Sequence, residues 1–382
     1  MLFSGSGTDM VIRSLRLKNY RNYDNLNINF NDNLNIIIGD NAQGKTNLLE
    51  SIYVLAVTKS FLSNNDKSII KFNNHYTKIN GLIEGKYNVN TLELLINDNG
   101  KCVKINNKEI KKLSDYISNM NVIIFSSNDI VIFKDSPSSR RKYFNIQISQ
   151  INKNYLRYLN DYNVILRQRN EFLKILDIKK ENDIKYFDIL TDKYVDLATD
   201  ISRYRNKYIN DINSYLDDIF RFITGMSGLS INYISNINYS DDFDKNILKK
   251  KIKDNFDREI QYKTTLLGPN RDDFVFMLNG KNLSSFGSQG QIRSAVLSLK
   301  LAEVKLFYEM TNDEPILLLD DIFSELDIRK RNNVLKYLNN DIQTIITTTD
   351  IENIDKTIRE KANVYNIENF PGNNLMQEGD RK

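Results

Sequence analysis

Two stretches of this 382-residue chain combine glycine with a following helical pattern in a way that brings backbone N–H groups against phosphate. The first is GDNAQGKTN: Gly39, Asp40, Asn41, Ala42, Gln43, Gly44, Lys45, Thr46 and Asn47. It follows the apolar run NIII and leads into KTNLLESIYVLA, so the G-x-x-x-x-G-K-T spacing sits between a strand and a helix. Unpaired N–H groups and the helix dipole favour an anion there. Lys45 is placed to neutralise the β and γ oxygens of a nucleoside triphosphate, and the Thr46 hydroxyl to ligate Mg²⁺. The second stretch is FGSQGQIRS, Phe286 to Ser294, which also opens a helix.

A loop of the first kind needs an acid at the end of a buried strand to hold the metal. PILLLDD supplies Asp320 for the cation and Asp321, one residue on, to orient or deprotonate the attacking water. FSELD then sets Ser324, Glu325 and Asp327 beside the γ-phosphate position. A second glycine loop is redundant within one molecule but not between two. If two copies meet head to tail, Ser288, with Gly290 and Gln291, reaches the γ-phosphate held by Lys45 of the other copy, and the nucleotide separates open from closed states. On spacing alone, the plainer alternative that Ser288 only caps its helix stays open.

Three regions must position these residues. From about Val11 to Phe125, β-type runs (VIRSLRL, LNIIIG, YTKINGLIEG, NTLELLIN, KCVKIN) surround one helix. From about Gln147 to Phe222 the apolar spacing becomes helical, predicting two long helices joined at DIKKEND, each about 45 Å long, as an antiparallel pair. From about Leu266, β-type runs return in DDFVFMLNG, PILLLDD and TIITTTD, and unalternating runs such as Ile316 to Leu319 fit strands covered on both faces. The expected organisation is an α/β nucleotide-binding domain split by a helical insertion: residues 10–125, 126–265 and 266–382.

Composition narrows the function. With 53 basic against 49 acidic residues, any nucleic-acid face must be local. Cys102 is the only cysteine, which excludes an intrachain disulfide and a thiolate zinc site and fits a reducing, cytoplasmic setting. His75 is the only histidine, which removes mechanisms needing two imidazoles and reads as a surface residue. No apolar run approaches a membrane span, and MLFSGSGTDM lacks the features of a secretory signal, with Met10 standing as a candidate native start.

The order phosphate loop, helical insertion, SQGQ, LLLDD, SELD resembles the ABC-type ATPases, and more closely their SMC-like branch, which works on chromosomes. Within it, NYRNYDNL, GDNAQGKTNLLESIY, LGPNRDDF, FGSQGQIRSAVLSLKLAE and LLLDDIFSELD look like the RecF family of bacterial recombination mediators, from about Met10 to beyond Thr349. The resemblance implies an ABC-type ATPase head with an inserted helical lobe containing a short antiparallel coiled pair. It makes Ser288, Gly290 and Gln291 the signature loop, with Gln289 in place of its usual first glycine, and adds Arg21 to the nucleotide contacts. It implies ATP and Mg²⁺ as cofactors, an ATP-dependent homodimer that holds DNA by its backbone, and a weak, DNA-stimulated ATPase. Action at single-strand gaps and single-strand/double-strand junctions follows from it, with RecR and RecO as partners in loading RecA.

This sequence departs from the family in Asn128 of FSSNDI, Leu62 of TKSFLSNND and Asn145 of SPSSRRKYFN, where a carboxylate, an arginine and an aspartate are usual; local ion pairs there do not carry over. The basic groups available for DNA are Lys59, Lys67 and Lys71, Arg140 to Lys142, and Arg157, Arg167 and Arg169. Two other classes compete. Against the ATPase subunit of a membrane transporter stand Thr347, where transporters carry a switch histidine, and the long insertion. Against a guanine-nucleotide switch stands the lack of an N-K-x-D motif.

Overall fold

In a computed structural model of the chain, residues 10–86, 88–237, 243–322, 330, 331, 333, 334, 342–351, 354 and 356–369 are described. The chain divides into two units. One comprises Met1–Asp129, Arg221–Gly225 and Val296–Lys382; the other comprises Ile130–Phe220 and Met226–Ala295.

The first unit opens with β1 (Val11–Tyr20), β2 (Tyr23–Asn29), β3 (Leu34–Ile38), α1 (Lys45–Val57), β4 (Tyr76–Gly85), β5 (Asn88–Asn97), β6 (Gly100–Ile105), β7 (Lys108–Glu109), α2 (Leu113–Tyr116) and β8 (Val122–Ser126). Six of these strands form an antiparallel sheet in the order β2-β1-β4-β5-β6-β7. Its strands alternate: Leu15 and Leu17, Leu26 and Ile28, Ile79 and Ile83, Leu92 and Leu94 are buried, while Arg16, Lys18, Asn25 and Asn27 face solvent. Asn19 and Arg21 have left-handed φ values of 52° and 50° at the turn between β1 and β2. That break in the alternation leaves Tyr20 wholly buried.

The second unit contains α3 (Val131–Lys134), α4 (Pro137–Ile151), α5 (Lys153–Ile175), α6 (Glu181–Thr224, whose last residues belong to the first unit), β9 (Leu229–Ile234), α7 (Lys245–Asp254), α8 (Phe256–Tyr262), β10 (Asp273–Leu278), β11 (Lys281–Asn282) and α9 (Leu283–Phe286). Next, α10 (Gln289–Thr311) starts in the second unit and ends in the first. The expected antiparallel pair is α5 with α6: Tyr155 meets Tyr204, Tyr162 meets Tyr194 and Phe172 meets Tyr186, so each step forward on α5 is a step back on α6. The two are unequal, about 35 Å and 66 Å, not a matched pair of 45 Å. The first helical series includes α4, which stops at Asn152 because that residue turns extended (φ −139°, ψ 98°) and accepts the Tyr155 N–H as an N-cap.

The expected boundary at residues 265/266 falls instead at 295/296. The run DDFVFML does form a strand, β10, but it pairs along its whole length with β9, in the order β11-β10-β9, and so belongs with the helices. The first unit resumes within α10 and adds β12 (Ile316–Asp320), β13 (Thr344–Thr348) and β14 (Asn363–Asn366). These complete an all-parallel sheet, β14-β3-β13-β12-β8. Every residue of β8, β12 and β13 is buried, which explains their unalternating sequences. Contacts of α1 reach strands of both sheets, and the helix is buried on nearly all sides, as its even apolarity requires. Among the described residues no helix is long and apolar enough to cross a membrane.

Candidate nucleotide site

The carboxyl ends of β3, β13, β12 and β8 lie side by side, with Ile38 opposite Thr348, Thr347 opposite Asp320, and Asp320 opposite Ser126. The loop after β3 and the end of β12 therefore meet, and they enclose a cleft of about 180 Å³ lined by Asn41, Ala42, Gly44, Lys45, Thr46, Asn47, Asp320 and Asp321.

The loop is shaped by left-handed residues. Ala42 has φ 65°, and Gly44, the N-cap of α1, has φ 100°; a Cβ on Gly44 would stand 2.4 Å from Asn22 Nδ2. Both conditions require glycine at position 44. Asp40, Asn41 and Ala42 form the exposed crest. Gln43 is buried and acts inward: its Oε1 accepts the Asp40 N–H (2.6 Å) and its Nε2 donates to Glu368 (2.6 Å). The Asn47 amide donates to Asn22 Oδ1 (2.9 Å). Gly39 stands against Gln43 and Ile367, where a Cβ would collide with both.

Lys45 donates from Nζ to the carbonyls of Gly39 (2.7 Å) and Asp40 (2.8 Å), which folds the ammonium back over the loop crest. Burial pulls its pKa below the ordinary lysine value, while Asp321, Asp320 and Asp40 oppose the shift. Thr46 Oγ1 donates to Asp320 Oδ1 at 3.0 Å, and Thr347 Oγ1 donates to the same oxygen at 2.8 Å. Burial raises the Asp320 carboxyl above its usual range despite those two hydroxyls. The next residue, Asp321, turns left-handed (φ 50°), with its N–H held by the Thr347 carbonyl (3.2 Å) and hydroxyl (3.1 Å). The strand thus delivers two successive acids to one cleft in different orientations.

The donor set suits a hard divalent cation. Thr46 and Asp320 offer neutral and anionic oxygen beside each other, a pair that would hold Mg²⁺ and leave its other positions to substrate and solvent. Among the described residues no group of three His, Cys, Asp or Glu could cage a metal alone.

A brace behind the loop was not read from the sequence. Tyr23 OH donates to the Gly44 carbonyl (3.0 Å) and Asn22 Nδ2 approaches the Gln43 carbonyl (3.4 Å). Arg21, expected at the nucleotide, forks onto Glu50 of α1 through Nε (2.8 Å) and Nη2 (2.6 Å), and donates from Nη1 to Ser68 O (2.9 Å). Glu50 is fully buried and also accepts from Tyr20 OH (2.8 Å) and the Ser60 hydroxyl. Four consecutive residues at the β1–β2 turn therefore hold the phosphate loop and its helix. The only advance signal was Arg21 itself, inside NYRNYDNL.

Behind β8, Asp129 accepts the Ser126 N–H (2.7 Å) and faces Lys300 of α10 at 3.4 Å. Burial raises the Asp129 carboxyl, and Lys300 opposes the rise. The aspartate next to Asn128 therefore pairs with the part of α10 that belongs to the first unit.

Ser288 and Gln291 form a reciprocal cap: Ser288 N–H donates to Gln291 Oε1 (2.8 Å) and Gln291 N–H to Ser288 Oγ (3.2 Å). Ser288 thus caps α10. The cap leaves the loop exposed, and a Cβ on Gly290 would meet nothing within 4 Å. Ser288, Gly290 and Gln291 belong to the second unit and the phosphate loop to the first. Ser324, Glu325 and Asp327 lie outside the described residues.

The basic candidates divide. Lys67 pairs with Asp98 (3.2 Å), Lys71 with Asp24 (2.7 Å) and Arg140 with Asp273 (2.7 Å), while Arg141 donates to the Asp272 carbonyl (2.8 Å). Arg169 is 0% exposed: it pairs with Glu259 at 2.6 Å and lies against the rings of Phe187 and Tyr194, so it touches no DNA. Lys59, Lys142, Arg157 and Arg167 remain exposed.

The chain matches the RecF/RecN/SMC N terminal domain over residues 11–370. It is 43% identical over 365 residues to the DNA replication and repair protein RecF of Lactobacillus johnsonii, covering 94% of this chain and 97% of that one. To the protein of the same name from Listeria welshimeri it is 40% identical over 363 residues, covering 94% and 98%. Among solved structures it is similar to the recombination mediator protein RecF with ATP, of the RecFOR pathway, with TM-score 0.85 and 32% identity over 93% of this chain and 96% of that chain.

Proposed function

The chain belongs to the RecF/RecN/SMC family and within it to the RecF proteins, and on that premise we propose that it is an ATP-gated DNA clamp of recombinational repair. The observation that carries this reading is the convergence of Lys45, Thr46, Asp320 and Asp321 on one cleft at the carboxyl edge of the parallel sheet. The backbone of residues 39–44 and Lys45 bind the phosphates of ATP, and Thr46 with Asp320 holds Mg²⁺. When bound, the cation supplies charge neutralisation at the transferred phosphoryl group. Asp321 orients a water in line with the γ-phosphorus and takes its proton as the new P–O bond forms and the bond to the β-phosphate oxygen breaks, giving ADP and phosphate.

The exposed cap at Ser288 completes the site from a second copy. Two copies close on ATP around DNA, and slow, DNA-stimulated hydrolysis opens them. The related RecF structure of the RecFOR pathway supports action with RecO and RecR. In this reading that action takes place at single-strand gaps and junctions, ahead of RecA loading. Family membership disfavours the transporter alternative.

Ser288→Arg tests the trans site, because a long cation at an exposed cap disturbs no packing of the single chain. Nucleotide titration should give unchanged ATP binding, and sedimentation with ATP, Mg²⁺ and DNA should show no pairing and no turnover. Hydrolysis at the parental rate would sink the two-copy site. Lys45→Met should abolish ATP binding itself, and retained tight binding would remove Lys45 from the mechanism.

A further inference from the structure

The solvent face of the antiparallel sheet carries a charge arrangement that sheet stability alone does not favour. The register places Arg16 between Asn27 and Asn80, and Lys18 between Asn25 and Lys78, in two adjacent cross-strand rows on β2, β1 and β4. Lys18 and Lys78 are thus directly opposed like charges, which destabilise an antiparallel pair. Neither row contains a carboxylate. The nearest one on this face, Glu93 on β5, is shared between Lys78 (2.8 Å) and Lys104 (3.5 Å), and Glu84 at the far end of β4 is bound to Arg13 (2.6 Å). Among the described residues the Arg16 side chain has no hydrogen bond or ion pair, and the Lys18 ammonium rests over the Tyr76 ring at 5.7 Å.

A face kept polar only for solvation gains nothing from directly opposed like charges. This one concentrates cations, with neutral asparagine amides between them. Same-face residues stand about 7 Å apart along a strand and about 4.8 Å apart across strands, which makes a flat grid of donors. An acidic protein partner would call for an aromatic or large apolar anchor as well. Among the outward positions of these three strands the large apolar or aromatic residues are Leu82, at 36% exposure, and Tyr76, whose ring already lies under the Lys18 ammonium. A cationic, amide-bearing surface whose one aromatic is engaged by a lysine is what contact with a nucleic-acid backbone uses, since phosphates are read without pockets.

We propose that this face of β2, β1 and β4, through Arg16 and Lys18, binds the phosphate backbone of duplex DNA. The inference rests on the DNA-clamp reading and names the surface by which the first unit holds its ligand.

The test is equilibrium binding of the full chain, with ATP and Mg²⁺, to a random-sequence duplex across a salt series. The variant is Arg16→Gln with Lys18→Thr. Losing two phosphate contacts should flatten the slope of log K against log salt by about 1.8 and weaken binding about 30-fold near 0.15 M salt. ATP binding should be unchanged. Thermal stability should hold or rise, because the Lys18–Lys78 repulsion is gone; a merely structural role would give the opposite sign. Unchanged duplex affinity and salt slope overturn the inference, including the case where the face then captures an acidic protein. If the parent chain itself binds no duplex under these conditions, the DNA-clamp reading fails instead.

Discussion

Replacing Arg21 by methionine asks whether the β1–β2 turn is fastened to the nucleotide-binding helix. The change leaves the fully buried Glu50 carboxylate with only the Tyr20 and Ser60 hydroxyls as donors. Removing one partner of a wholly buried ion pair costs about 3–5 kcal/mol. The Arg21 side chain is 21% exposed, so water compensates in part, and the expected loss is about 2–3 kcal/mol. At about 2–4 °C per kcal/mol, the midpoint of thermal unfolding should fall by about 4–12 °C.

The companion variant, Arg21→Met with Glu50→Met, removes both charges and should recover most of that loss, because an apolar pair of similar volume is close to neutral. Urea unfolding followed by circular dichroism reads the stability, and ATP titration is run on the same samples. A single variant within about 0.5 kcal/mol of the parent, or a double variant no better than the single, would refute the clasp. Parental stability combined with lost ATP affinity would return the guanidinium to the nucleotide, where the family resemblance puts it.

Gly44→Ala should lower ATP affinity at least tenfold and destabilise by about 1–3 kcal/mol, since φ 100° and the 2.4 Å approach to Asn22 both reject a Cβ; parental ATP binding would show that the loop adopts another conformation. Asp320→Asn should abolish hydrolysis yet raise thermal stability at neutral pH. Burial raises this carboxyl, so between its ordinary and its folded pKa the native chain binds more protons than the unfolded chain, and stability falls as pH rises through that window. The stabilisation by Asn should therefore shrink as the pH is lowered below the folded pKa, and a pH-independent difference would contradict it. Arg169→Leu should cost about 3–5 kcal/mol by stranding the buried Glu259, while ATP binding in the first unit is retained; a loss confined to ATP affinity would be the wrong result.

The phosphate loop was legible because its chemistry is local: eight residues fix the two glycines, the lysine and the hydroxyl. The acids of PILLLDD were legible for a related reason, since a strand covered on both faces has no alternation and its end is marked by charge. The brace was not, because Tyr23 meets Gly44 and Gln43 meets Glu368 only after folding, the latter 325 residues apart in the chain. Charge was equally silent about destination. Arg169 and Arg167 look alike in the sequence, yet one is sealed beneath Phe187 and Tyr194 and the other is in water. The boundary was missed for a different reason: DDFVFML has the strand character expected of the head, and only its pairing with β9 reveals which body it completes.

The parallel sheet has a consequence for biosynthesis. β3, which carries the phosphate loop, lies between β13 and β14, both near the far end of the chain. Gln343, just before β13, exchanges hydrogen bonds with the backbone of Ile12, 331 residues away. At about 5–20 residues per second a ribosome needs about 15–65 s to cover that interval, and for all of it the strand leading to Lys45 has no neighbour on either edge. A nascent apolar ribbon of that kind invites intermolecular pairing, so holdase depletion or faster elongation should lower the yield of active protein before any folded-state defect can be measured.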